Sequence, residues 1–288
     1  MSHKYLSGFI SSVLLVSCLS CGNSKHSKSH SLLPGTWQTQ AIVIDGDSKD
    51  WPSPYPNYDS KAMVAYATSN DKENLYITME TGDQLTQLKI LKQGMTVSID
   101  TNGKKDPEFN INYPLQNEND PLEMVDLGEQ KKGGGSSHQM ENIRLEKKID
   151  KNADEDNQFA LAGFNGCDGG YIVTQTTPCG IKIRMKMDEY KELVWEAVVP
   201  FKAIYNKTEI TAADAGKPIS VCFSVKSFKH PESKGSVENS NGSMNQNMGG
   251  GGMKGAMKGS GGGKAPENPR EHLYESTKTW KQFGLAFQ

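Results

Sequence analysis

The sequence predicts an all-β chain, an antiparallel β-sandwich of the jelly-roll kind with one short helix. Three observations predict it. Apolar and polar residues alternate in run after run, with the period of two that marks a half-buried strand. The runs are short and separated by Gly, Asn, Asp and Pro, as strands joined by turns are. Helical periodicity is confined to one place.

The elements follow in order. KAMVAYAT (61–68) sets Ala62, Val64 and Tyr66 against Met63, Ala65 and Ala67. ENLYITMET (73–81) sets Leu75, Ile77 and Met79 against Tyr76 and Thr78. The helix is DQLTQLKILKQ (83–93), with Leu85, Leu88 and Leu91 at spacing three, Asp83 as N-cap and Gly94 closing it. GMTVSID (94–100) and EFNINYP (108–114) alternate again. IKIRMKM (181–187) is the cleanest case, with Ile181, Ile183, Met185 and Met187 on one face and Lys182, Arg184 and Lys186 on the other. LVWEAVVPF (193–201) puts Trp195, Ala197 and Val199 opposite Glu196 and Val198, and Pro200 stops the strand where no ladder donor is needed. PISVCFSVKSF (218–228) follows, and YESTKTWKQFGLAFQ (274–288) reads as a final strand returning to the sheet.

The chain has 288 residues, a formal net charge of −2 and 35% hydrophobic residues. The charge argues against a nucleic-acid partner. The low apolar content and 29 glycines, many clustered, predict a normal domain diluted by disordered inserts. Those inserts are polar and Gly-rich, at 128–142 and 233–272. The second sits between two neighbouring strands.

The start of the chain reads as a lipoprotein signal peptide, residues 1–17. Lys4 gives a basic region, and Leu6 to Val16 gives an apolar stretch too short to span a bilayer. LVSC places small residues before Cys18, the expected lipidated residue, with Cys21 as the alternative. Residues 18–36 then form a flexible polar tether, and 37–288 a single sandwich domain. The expected location is a bacterial cell envelope, on an outer membrane and facing the periplasm or the surface. An exported compartment permits disulfides. Cys167 and Cys179 bracket a strand with a turn at each end, where a bridge would staple a hairpin, and Cys222 reads as a buried free thiol.

Four pieces in order carry a resemblance: IVIDGDSKDW (42–51), NDKENLYITMET (70–81), GMTVSIDTNGKK (94–105) and YKELVWEAVVPFKAI (190–204). Together they resemble the family 9 carbohydrate-binding module and its DOMON-like relatives, over about residues 40–230 plus the last strand. The resemblance implies a β-sandwich and a non-enzymatic role in sugar capture through exposed tryptophans. Trp51 and Trp195 match family positions that are structural. In DGDSKDW, Gly46 can take a positive φ, and Trp51 lays a ring against the sandwich.

The remaining aromatic candidates for a sugar ring are Trp37 and Trp280, with Tyr55 and Tyr58 in the loop PSPYPNYDS (52–60). Calcium is the one cofactor the acidic turns suggest. DTNGKKD (100–106) offers Asp100, Asn102 and Asp106, and DKNADED (150–156) offers alternating acids without the glycine and glutamate of an EF-hand. Met244, Met248, Met253 and Met257 are soft donors in a Gly-rich run, best read as incidental. A haem needs axial Met or His, and His138, His230 and His272 all lie near polar inserts. No G-x-S-x-G, H-E-x-x-H or phosphate loop occurs. The expectation is a lipid-anchored, glycan-binding sandwich. The alternative is an assembly lipoprotein that uses the sandwich as a protein scaffold.

Overall fold

The computed structural model describes residues 32–115, 158–229 and 269–288. The expected signal peptide, Cys18, Cys21, the 128–142 insert, most of the 233–272 insert, the acidic run at 150–156, His138, His230 and the Met-rich run lie outside the described residues.

The chain runs β1 (Thr36–Trp37), β2 (Asn57–Asp59), β3 (Val64–Asn70), β4 (Asn74–Thr81), α1 (Gln84–Gln93), β5 (Met95–Asp100) and β6 (Phe109–Tyr113). It continues through β7 (Gln158–Ala162), β8 (Gly169–Ile172), β9 (Lys182–Met187), β10 (Leu193–Pro200), α2 (Phe201–Tyr205), β11 (Pro218–Val225) and β12 (Thr277–Gly284). These form an all-β sandwich of two six-stranded sheets. Sheet 1 has the order β1-β3-β4-β10-β9, with β2 also paired to β3. Sheet 2 has the order β12-β11-β5-β6-β7-β8. Neighbours are antiparallel except β1 and β3.

The alternation in the strands explains the core. Val64, Tyr66, Leu75, Ile77, Met79, Ile183, Met185, Trp195 and Val199 face inward from sheet 1. Val97, Ile99, Ile111, Phe159, Val221, Phe223 and Phe283 meet them from sheet 2. The Tyr66 and Phe223 ring centroids lie 5.3 Å apart across the gap. Each fully buried large side chain contributes about 1.5–3 kcal/mol by leaving water. Cys167 and Cys179 are joined, with Cα atoms 5.6 Å apart, and Cys222 is a buried free thiol.

The helix has the expected caps: the Asp83 carboxylate accepts from Thr86 N, and Gly94 ends it at φ 74°. Its buried face is broader than a leucine stripe and includes Lys89, which is fully buried. The Lys89 ammonium donates to the carbonyls of His272 (3.0 Å) and Glu275 (2.7 Å), just before β12. Burial lowers the Lys89 pKa. Among the described residues no helix is long and apolar enough to cross a membrane.

One boundary differs from expectation. The fold begins earlier than residue 37. Gly35 N donates to the Gly284 carbonyl (2.7 Å), and Gly284 N donates to that of Leu33 (3.0 Å), so residues 33–36 belong to the sandwich and not to the tether. A Cβ on Gly35 would sit 2.4 Å from the Gly284 oxygen, so only glycine allows the approach. The stretch Ala41–Ile44 crosses the outside of sheet 1, with Ile42 buried against Ala67 and Tyr76.

Candidate functional site

The outer face of sheet 1 is where function can be built. Strand register sets three rows across it. The first is Tyr58, Ala65, Glu80, Val194 and Lys186. The second is Ala67, Thr78, Glu196 and Arg184, and the third is Ser69, Tyr76, Val198 and Lys182.

The 41–56 loop covers the β3, β4 and β10 positions of the second and third rows, leaving Arg184 and Lys182 at the β9 edge. Ile42 and Trp51 are buried with Ala67 and Tyr76, and Ile44, Tyr55 and Val198 pack against them. Glu196 fixes the loop. Trp51 Nε1 donates to its Oε1 (2.6 Å), and Gly46 N (2.7 Å) and Asp45 N (3.1 Å) donate to its Oε2. Gly46 takes φ 82°, which turns its N–H toward the carboxylate, and its backbone abuts the Lys186 stem. Burial pushes the Glu196 carboxyl up to about 7, while the three donors pull it down. A carboxylate met by three N–H groups is held as the acceptor, so its role here is structural.

The first row is left at the rim. Tyr58 is 61% exposed, and its hydroxyl donates to the Met63 sulfur (3.5 Å). Ala65, half-buried, lies beside it as a small floor. Glu80, also half-buried, stands on the far side of Ala65. Burial raises Glu80 to about 7, and the negative charges of Glu192 and Asp188 add to the effect. Burial, then Asp188, raises Glu192 too. Asp188 itself closes the β9–β10 hairpin by accepting from Tyr190 N and Glu192 N. Tyr55 is half-buried next door. Thr78 donates its hydroxyl to the Trp195 carbonyl (3.1 Å), so the Tyr55 hydroxyl is the donor to Thr78 (3.1 Å). The result is an exposed ring, a small floor and a carboxylate in line across three strands.

The four aromatic residues expected to hold a sugar are not one platform. Tyr55 and Tyr58 share the outer face of sheet 1. Trp37 pairs with Asn70 in β1 and packs edge-on against Phe287, with centroids 5.8 Å apart, so it is part of the core rim. Trp280 lies on the outer face of sheet 2, opposite Cys222, with the Lys278 ammonium 5.4 Å from its ring centroid.

The expected calcium residues close a turn. Asp100 is buried, and its oxygens accept from Asn102 N (2.8 Å) and Asp106 N (3.1 Å). The Asn102 amide donates to Glu108, and Asp106 enters through its backbone. The Asp100 oxygens thus accept backbone hydrogen bonds inside the loop. Among the described residues no three His, Cys, Asp or Glu side chains gather as metal ligands would.

Sequence reasoning passed over Glu196 and Glu80. Glu196 had a signal, a lone acid inside the apolar run LVWEAVV; Glu80 had none, because its setting depends on β2, β3 and the β9–β10 hairpin meeting.

No protein-family model matches the sequence, and no curated protein matches it. Among the solved structures that resemble the chain are two of a family 9 carbohydrate-binding module from Caldicellulosiruptor kristjanssonii. The one in complex with glucose has a TM-score of 0.30 and 11% identity, covering 68% of this chain and 77% of that chain. The one in complex with cellotriose has a TM-score of 0.28 and 12% identity, covering 67% and 75%. At these values the likeness carries no argument about function.

Proposed function

We propose that this protein is a non-catalytic, lipid-anchored cell-envelope module that captures a glycan at the rim of sheet 1. The observation that carries the reading is Tyr58, exposed across a small Ala65 floor from Glu80. A pyranose offers an apolar C–H face to a ring and hydroxyls to an acceptor. Tyr58 supplies the ring, Glu80 the acceptor, and Ala65 leaves room between them. Such a site binds and orients. The anchor is Cys18, by the small residues before it, and one cysteine bearing several acyl chains gives stable attachment.

The test is calorimetric titration of the full-length chain with a saccharide panel that includes glucose and cellotriose. Binding lost in Tyr58→Ala and weakened in Glu80→Gln is the expected result. Absence of binding to every saccharide sinks the glycan reading, and release of new reducing ends sinks the non-catalytic one. For the anchor, Cys18→Ala should leave the membrane fraction while Cys21→Ala stays. Palmitate still incorporated in the Cys18 variant would move the acyl chains to Cys21.

A further inference from the structure

We propose that the outer face of the edge strand β9 is a docking line for an acidic polysaccharide. Among the described residues β9 ends sheet 1, and no described strand pairs with its other side. Its inner face, Ile183 and Met185, is in the core. Its outer face is Lys182, Arg184 and Lys186, with both lysines exposed and Arg184 partly so. Residues two apart on a strand lie about 6.6 Å apart, so the three cations form a line about 13 Å long.

Among the described residues none of the three side chains makes an ion pair or hydrogen bond, whereas Lys49, Lys207 and Lys217 each hold a carboxylate. Two of the neighbouring acids are already engaged. Glu196, opposite Arg184, has its oxygens filled by Trp51, Gly46 and Asp45. Asp47, which feels the charge of Lys186, is bonded to Lys49. Three cations in a row, with no described side chain paired to them, call for anions in a row.

The surroundings decide between a chain and a surface. Asp188, Glu189 and Glu192 stand at the hairpin that follows Lys186, and Asp45 and Asp47 flank it on the loop. An anionic bilayer would press on these acids as well as on the cations. A narrow linear polymer lying along β9 meets only the cations. This inference does not rest on the Tyr58 site.

The experiment is binding of the full-length chain to polygalacturonate and to a neutral glucan, at low and high salt. The variants are Lys182→Gln/Arg184→Gln/Lys186→Gln, the three single variants and Tyr58→Ala. Expected is retention by polygalacturonate that weakens with salt, falls at least tenfold in the triple variant with an unchanged unfolding midpoint, and survives in Tyr58→Ala. If the triple variant misfolds, a graded loss across the three single variants carries the same result. Equal binding by the wild type and the variants, or no binding at low salt, overturns the proposal and leaves the cations as guards of a free edge. Phosphatidylglycerol vesicles bound through the same residues, without polygalacturonate binding, would also overturn it, in favour of a membrane partner.

Discussion

Glu196 and Glu80 lie on the same face of the same sheet, and burial raises both to about 7. They differ in what surrounds them. Glu196 is fully buried and its oxygens receive three N–H donors. Glu80 is half-buried, faces Glu192 and Asp188, and has the exposed Tyr58 on its other side. The first carboxylate is used up by the fold. The second is left available. Carboxylates in equivalent strand positions thus divide into structural and functional according to whether a loop brings donors to them.

The largest effect that would break this comparison is at Glu196. Glu196→Ala leaves the Trp51, Gly46 and Asp45 N–H groups without their acceptor, and each buried unsatisfied group costs about 1–3 kcal/mol. Denaturant unfolding should show a loss of roughly 3 kcal/mol or more. A loss below about 1 kcal/mol, the worth of a single ordinary hydrogen bond, would mean the loop is not held there.

Trp51→Phe is smaller. It keeps the ring and removes only the indole donor, so the same measurement should show about 1–2 kcal/mol. The variant should also raise the Glu196 pKa further, since one of the donors that pulls it down is gone.

Third is pH. A carboxyl whose pKa is raised on folding binds its proton more tightly in the native state. Stability from Glu80 and Glu196 is therefore greatest below the unfolded value of 4.5 and is lost as pH rises through about 7. Asp214, which Lys207 and Lys217 hold below its ordinary value, works in the opposite sense but only at pH below about 4. Thermal midpoints should fall from pH 5 to pH 8, and Glu80→Gln should flatten that slope. An unchanged slope in the variant would assign the titration elsewhere.

The smallest effect on stability is at Tyr58, where alanine should change unfolding by less than about 0.5 kcal/mol. Its effect should appear in saccharide titration instead. A large destabilisation would place Tyr58 with Glu196 among the structural groups.

The fold was legible because strand alternation is local. Val64, Ile77, Val97, Ile183 and Val221 all face inward, as their spacing requires. The caps Asp83 and Gly94 were legible for the same reason. The site was less so. Tyr58 stood out as an aromatic in a Pro-rich loop, but Trp37 and Trp280 looked equivalent to it until topology put them at a core rim and on the other sheet. Glu80 acquires its setting from residues more than a hundred positions away, which no window of sequence displays. At Asp100, side-chain type does not say that both oxygens accept backbone N–H groups.

The buried ammonium of Lys89 has a consequence for proteolysis. Its acceptors are the carbonyls of His272 and Glu275, and the Leu33–Gly35 segment bonds to Gly284. A chain without residues 269–288 leaves that ammonium without these two carbonyls and the Leu33–Gly35 segment without Gly284. The sandwich is therefore closed by residues 269–288, and a chain cut before residue 269 should be more readily proteolysed than the intact one.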